Sequence, residues 1–163
     1  MAVVVIAGLI VVVGPQQQQA SAAGQVGRGT AESCTEAALN AALLGSALVS
    51  FNCGDEMETI TVTGEKVITR NTRIVGNWRV TISGGNTTRV FRVEPGVSLE
   101  LETITVANGF VTDATGAGIQ NNGTLTLTYA TISSNRIAGR SGGAGVFNSG
   151  ALTVTGGLFT RNQ

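Results

Sequence analysis

A tandem repeat at the C-terminal end limits what this chain can fold into more than any other feature. Residues 116–136 read G-A-G-I-Q-N-N-G-T-L-T-L-T-Y-A-T-I-S-S-N-R, and residues 143–163 read G-A-G-V-F-N-S-G-A-L-T-V-T-G-G-L-F-T-R-N-Q. Setting Gly116 on Gly143 brings Gly118 onto Gly145, Asn121 onto Asn148, Gly123 onto Gly150 and Asn135 onto Asn162, all at one offset of 27. Leu125 falls on Leu152, Leu127 on Val154 and Ile132 on Phe159 at the same offset. A fixed period of this size belongs to a solenoid, in which each repeat buries its apolar face only against its neighbours.

Within a repeat, apolar residues alternate with polar ones, as in Leu125-Thr126-Leu127 and Leu152-Thr153-Val154. That is the pattern of a strand with one buried face. Glycine and asparagine separate these runs, so no stretch has the length or period of a helix. A leucine-rich repeat has a similar length but needs a longer leucine pattern and usually a helical segment. Short strands joined by Gly/Asn turns suit one coil of a parallel β-helix better. Imperfect copies extend upstream at an offset of 26: Leu99-Glu100-Leu101 precedes Leu125-Thr126-Leu127, and Ile104-Thr105-Val106 precedes Ala130-Thr131-Ile132. Val80-Thr81-Ile82 and Ile60-Thr61-Val62 continue the series at spacings of 24 and 20, which predicts smaller or irregular first coils. From about Val49 onward there is room for roughly four to five coils, a stack about 20–25 Å long.

The chain begins with an apolar run at residues 2–14, followed by Pro15, four glutamines and Ala20-Ser21-Ala22-Ala23. The run is shorter than the roughly 20 residues a bilayer span takes. Its length and the A-x-A site predict a secretory signal over residues 1–23, cut near Ala22 or Ala23, and no membrane span in the mature chain. No Lys or Arg precedes the run, the first basic residue being Arg28, which leaves open a start upstream of Met1. Residues 24–48 read as a linker and one helix. Ser33-Cys34-Thr35-Glu36 has capping-box spacing, so Ser33 and Glu36 are the expected helix cap. Ala37, Ala38, Leu39, Ala41, Ala42, Leu43 and Leu44 follow, with Gly45 as a left-handed stop. Such a helix fits over the open end of a solenoid, covering its apolar core and strand edge. In an exported chain the two cysteines favour a Cys34–Cys53 disulfide, with two separate buried thiols as the alternative.

Val26-Gly27-Arg28-Gly29-Thr30, Ser33-Cys34-Thr35-Glu36-Ala37-Ala38-Leu39 and Val49-Ser50-Phe51-Asn52-Cys53-Gly54 resemble the opening of secreted bacterial right-handed parallel β-helix proteins. These carry polymorphic-outer-membrane-protein-like repeats in the broad pectin-lyase-like fold. Arg73-Ile74-Val75-Gly76, Val80-Thr81-Ile82-Ser83-Gly84, Arg89-Val90-Phe91 and the two G-x-G-(I/V)-x-N repeats extend the resemblance from about Gly24 to Gln163. Val75 departs from the family's usual T-I-D-G turn, so no role of that aspartate carries over. The resemblance implies a right-handed β-helix over residues 49–163 behind an N-terminal capping α-helix, and a secreted or cell-surface location. It implies no chemistry.

The residues supply little chemistry either. Charged residues are 12% of the chain and the formal net charge is zero, which excludes the basic stripe a nucleic-acid surface needs. There is no histidine, so no Ser-His-Asp or Cys-His arrangement, and two cysteines are too few for zinc. Glycosidases and calcium-dependent lyases need clustered carboxylates, but the two aspartates, Asp55 and Asp113, lie far apart. Glu100 and Glu102 share one outward strand face about 7 Å apart. The pair could make a weak cation or sugar site. A solvated face is the plainer reading, because Thr126, Thr128, Thr153 and Thr155 occupy the matching positions. Asn121, Asn148, Asn135 and Asn162 read as stacked corner residues, able to accept left-handed angles. Gly118, Gly123, Gly145 and Gly150 read as turn residues. No cofactor, metal or catalytic residue is expected.

The chain stops at the last residue of a repeat with nothing to cover the final coil, which predicts a fragment of a longer protein, truncated at its C-terminus, or association through that end. The function expected is a secreted or cell-surface structural or adhesin-like module without a catalytic site. Its expected partners are a surface polysaccharide or further coils of a longer chain. The alternative is the N-terminal part of a carbohydrate-active β-helix protein whose catalytic coils lie beyond residue 163. A third reading is a threonine-array binder.

Overall fold

The alternating apolar residues form strands wherever the sequence brings them into line. A computed structural model describes residues 2–6, 9–13, 24–140 and 142–163, the first two ranges as backbone only. Three parallel sheets run along the stack. The first is six-stranded: Gln25–Val26, Leu48–Phe51, Thr72–Val75, Ser98–Glu102, Thr124–Thr128 and Ala151–Thr155. The second holds Glu58–Thr61, Val80–Ser83, Thr105–Ala107, Thr131–Ser133 and Leu158–Thr160. The third holds Lys66–Ile68, Phe91–Val93, Ile119–Asn121 and Val146–Asn148. The chain visits first, second and third sheet in turn, then repeats, so the molecule is a β-solenoid of about five turns with one short helix near its N-terminus. A short side sheet pairs Phe110–Thr112 with Arg136–Ala138.

Pairing in register stacks like positions into columns. Val49, Ile74, Leu101 and Leu127 form one inward column on the first sheet, all fully buried. Ile60, Ile82, Val106 and Ile132 form its counterpart on the second, each at most 2% exposed. Burying one such side chain contributes about 1.5–3 kcal/mol. Val154 and Phe159 continue these columns in the last coil but are 43% and 45% exposed, since nothing described packs on them.

Of the two outcomes the spacing allowed, smaller or irregular first coils, the coils are irregular and nearly full-sized. Along the first sheet the column runs Val49, Ile74, Leu101, Leu127 and Val154, and its successive offsets are 25, 27, 26 and 27. What changes is how each coil divides its length. From first to second sheet the offset is 11 between Val49 and Ile60 and 8 between Ile74 and Ile82. It falls to 5 between Leu101 and Val106, and again between Leu127 and Ile132. The arc from second to third sheet lengthens to compensate, and in the third and fourth coils it makes the side sheet. Ile60 pairs with Ile82, at an offset of 22, and not with Val80 at an offset of 20. A slip of two keeps every side chain on its face, so alternation alone could not tell the two registers apart.

The helix spans Glu36–Gly45 and buries Leu39 and Ala42 against the top of the stack. Its cap differs from the expected one. Thr35 is the N-cap, its hydroxyl oxygen accepting the Ala38 N–H at 3.2 Å. Ser33 lies in a short 3₁₀ turn, where its Oγ accepts the Arg28 N–H at 2.7 Å and donates to the Thr30 carbonyl at 2.6 Å. Glu36 does not fold back to box the helix because it reaches into the first coil. There its carboxylate accepts the Lys66 ammonium at 2.6 Å and both the N–H and the hydroxyl of Thr63 at 2.9 Å. The helix also ends without a left-handed Gly45: Ser46 closes it in extended conformation, donating its N–H to Ala42. Cys34 and Cys53 are joined in a disulfide, Cα atoms 5.5 Å apart, which staples the helix start to the first coil. Ala2–Ile6 and Leu9–Val13 pair antiparallel in a sheet of their own. The expected cleavage site at Ala22 or Ala23 lies outside the described residues.

Two outcomes follow from this architecture. Replacing both Cys34 and Cys53 by serine releases a crosslink between positions 19 apart, and equilibrium urea unfolding should show a loss of about 3 kcal/mol. Leu101→Ala empties a mid-column position and should cost about 2–5 kcal/mol in the same assay, where an undetectable loss would contradict the packing.

Candidate functional site

Most of the polar groups that looked chemically interesting in the sequence turn out to hold coils together. Glu100 and Glu102 do share the outward face of the first sheet, and Arg73 meets both of them. Its Nε lies 3.5 Å from Glu100, and its Nη2 hydrogen-bonds Glu102. The Glu102 hydrogen bond, seconded by the Glu100 and Glu102 charges, raises the Arg73 pKa above its ordinary value. The pair is thus one end of an exposed ion-paired rung, continued by Thr126 and Thr153 in one column and Thr128 and Thr155 in the next. On the third sheet Arg89 bridges Glu65 at 2.7 Å and the Thr115 and Gly116 carbonyls at 2.9 Å, tying neighbouring coils. Among the described residues, no group of three or more His, Cys, Asp or Glu side chains is placed to hold a metal ion.

The four asparagines are structural ladders. Asn121 donates to the Asn148 Oδ1 at 2.6 Å and to the Ala151 carbonyl at 2.8 Å. Asn135, fully buried, donates to Asn162 and to the Val106 carbonyl, and accepts the Gly109 N–H at 2.8 Å. They do not take up left-handed angles, as the sequence suggested; those fall one residue before the inner ladder, at Ser134 and Arg161, with Asn108 at the same corner of the coil before. Gly118 and Gly145 make room for the ladder: a Cβ on either would come within 2.9 Å of the Asn135 or Asn162 amide. Gly123 and Gly150 likewise allow close backbone approach between coils.

Among the described residues Lys66 is the one charged group buried in an inward column, in register with Phe91 and Ile119. Its ammonium is compensated by Glu36. Burial by itself would raise the Glu36 pKa, but the hydrogen bonds from Lys66 and Thr63 and the nearby ammonium outweigh it. They hold the carboxyl below its ordinary 4.5. This pair fixes the cap.

One region is different. The corner between first and second sheets carries the only tryptophan and the only tyrosine of the chain. Trp78 is 62% exposed and Tyr129 50% exposed, yet their rings meet at 5.9 Å between centroids, tilted by 44°. They belong to the second and fourth coils. Trp78 N–H donates to the Thr103 carbonyl and Tyr129 N–H to that of Thr155, so the rings lean together across Thr103 along the stack axis. All three residues are left-handed, with φ of 63° at Trp78, 49° at Thr103 and 50° at Tyr129. Gly156 holds the same corner in the fifth coil at φ 64° and lies against the Tyr129 ring, where a Cβ would come within 2.4 Å. Glycine meets this backbone demand without strain, whereas each bulky residue there costs about 1–2 kcal/mol. The aromatic contact returns about 0.5–1.5 kcal/mol beyond what the buried part of each ring contributes, which offsets much of that cost. Half or more of each residue nevertheless stays in solvent, open to contact.

Beside Trp78, on the cap side, the long arcs of the first two coils enclose a surface hollow of about 440 Å³. Asn52, Asp55, Asn77 and Arg79 line it, with Arg79 Nη1 3.2 Å from Asp55. Another hollow of about 460 Å³ lies between the helix and the Gln25–Val26 strand, walled mainly by glycine and alanine with Arg28 at its rim. The first combines concavity, polar side chains and neighbouring aromatic rings, and it is the better candidate for ligand contact. Sequence reasoning did not single out this corner. Tyr129, two places past the column residue Leu127 and aligned with Gly156, was a usable signal; Trp78 was hidden by the longer arc it sits in. Searches against family models, curated proteins and solved structures find no match to the chain.

The Glu36 geometry has a measurable consequence. Because its folded pKa lies below 4.5, the pair contributes stability that is fully present above that pH and lost as pH falls through the lower folded value. The stability gap between the wild type and Glu36→Gln, measured by urea unfolding, should therefore be widest near neutrality and close below pH 4.5. A gap independent of pH would contradict the assignment.

Proposed function

We propose that this chain is a secreted or cell-surface β-helical module, bacterial in origin, that acts as a scaffold or adhesin and has no catalytic site of its own. The observation that carries this reading is that six of the ten carboxylates are held in ion pairs. Glu36 is bound by Lys66, Glu65 by Arg89 and Arg92, Glu94 by Arg92, Glu100 and Glu102 by Arg73, and Asp55 by Arg79. A glycosidase or lyase needs a pair of carboxylates poised over the scissile bond, with one available to give or take a proton. Carboxylates held in ion pairs with arginine are poor proton donors. Export is supported by the apolar start of the sequence and by the Cys34–Cys53 disulfide, a bond that persists in oxidising compartments. The resemblance to secreted β-helix proteins points the same way.

The test is export of the chain behind its own N-terminus in a bacterial host. Mature protein should appear outside the cytoplasm, cut near Ala22 or Ala23 by N-terminal sequencing, with no free thiol detected. Retention in the cytoplasm with two reduced cysteines would overturn the reading.

A further inference from the structure

We propose that the Trp78–Tyr129 ridge, together with the hollow at Asn77 and Arg79, is a binding platform for a neutral oligosaccharide. This rests on the reading of the chain as a module that binds rather than catalyses.

The choice of ligand follows from what the corner offers and withholds. It offers two large aromatic faces, each at least half exposed, supported from behind by Thr103 and by Gly156. Exposed aromatic rings beside hydrogen-bonding groups suit a partner that is flat, with C–H on its faces and hydroxyls on its edges. Asn52, Asn77 and Arg79 in the hollow, and Thr103 and Thr128 on the ridge, supply donors and acceptors for such hydroxyls. An extended peptide adding to a strand edge does not fit. The corner N–H groups of Trp78, Thr103 and Tyr129 are already bonded along the axis, to Thr103, Thr128 and Thr155. An amphipathic helix needs an apolar groove, and the hollow here is lined mainly by polar residues and glycine. A lipid surface would want a run of aliphatic side chains beside the rings, whereas Asn77 and Arg79 flank Trp78, and Thr128 precedes Tyr129. An anionic polymer would want unpaired cations. Arg79 is paired with Asp55, Arg73 with Glu100 and Glu102, and the formal net charge is zero. A neutral glycan meets each of these conditions.

The geometry also gives the ligand a direction. Hollow, Trp78 and Tyr129 succeed one another along the stack axis over the first four coils, so a linear chain would lie across the strands rather than along them. The aromatic pair would grip it at one end and the polar hollow at the other.

Trp78 is the sole tryptophan, so its emission reports on this corner alone. The whole chain would be titrated with cellohexaose, chitohexaose and mannohexaose, with oligogalacturonate as the anionic comparison. The expected result is a saturable blue shift with at least one neutral hexasaccharide and none with oligogalacturonate. Tyr129→Gly places at this corner the residue the fifth coil already uses, so it should keep the circular dichroism spectrum while weakening binding about tenfold. No saturable change with any neutral probe would overturn the platform, and so would undiminished binding by Tyr129→Gly. Tight binding to oligogalacturonate alone would overturn the neutral-ligand assignment. Shortened oligosaccharides in the same samples would refute the non-catalytic reading, while a Tyr129-dependent emission shift would still support the platform.

Discussion

Everything in this molecule depends on main-chain hydrogen bonds that run parallel to the stack axis. Each coil gives its N–H and C=O groups to the coils before and after it, at corners as well as in strands: Gly76 to Glu102, Thr103 to Thr128, Tyr129 to Thr155. Buried main-chain groups left unpaired would cost about 1–3 kcal/mol each, repeated along every coil. Register is therefore enforced everywhere at once, and side chains have no choice but to stack on their like. The Leu/Ile/Val columns follow from this, and so do the asparagine ladders and the left-handed corners. A helix can hide its own polar backbone, but a coil of this kind can do so only in company. The N-terminal end accordingly has a dedicated closure of helix, disulfide and buried ion pair.

The same constraint explains where the charges sit. Once coils are in register, a residue faces its counterpart one full coil away, and opposite charges placed there pair without any search through rotamers. Arg73 faces Glu100 in this way. Exposed pairs of this kind stabilise little individually, about 0–1 kcal/mol. Their larger effect is on register, since sliding the coil would set like beside unlike along the whole face. Lys66 is the exception: it occupies an apolar column in the coil nearest the cap, and Glu36 comes down from the helix to meet it.

How much of this can be read from the residues alone varies with the kind of signal. The period of 27 makes the last coils, their columns and both asparagine ladders legible, because identical residues recur at identical offsets. The same period places Arg73 on Glu100 once it is applied to charges as well as to leucines. The cap is half legible. A helix after the first cysteine is plain, but Ser33-x-x-Glu36 matches a local motif while Glu36 is wanted by Lys66, far along the chain and invisible to local reading. Triplet spacing sets Ile60 against Val80 because alternation by two cannot see a slip by two. The aromatic corner escapes such reading because a lone tryptophan in an irregular arc has no counterpart to align with.

That irregular arc shows where such a fold can carry function. Inward columns must align, so each coil from the first to the last keeps nearly the same length between first-sheet positions. Corners answer to no such demand beyond their axial hydrogen bonds. In the first two coils the arc between first and second sheets is longer than in the third, more so in the first coil than in the second. The surplus has nowhere to go but outward, where it forms the walls of the hollow and lifts Trp78 clear of the core. Downstream the arc is shorter, and there a left-handed residue turns the corner, Tyr129 in one coil and Gly156 in the next. The core cannot distinguish tyrosine from glycine at that point, since neither side chain enters it. Where the core is indifferent to the choice of residue, the solvent-facing side is free to make it.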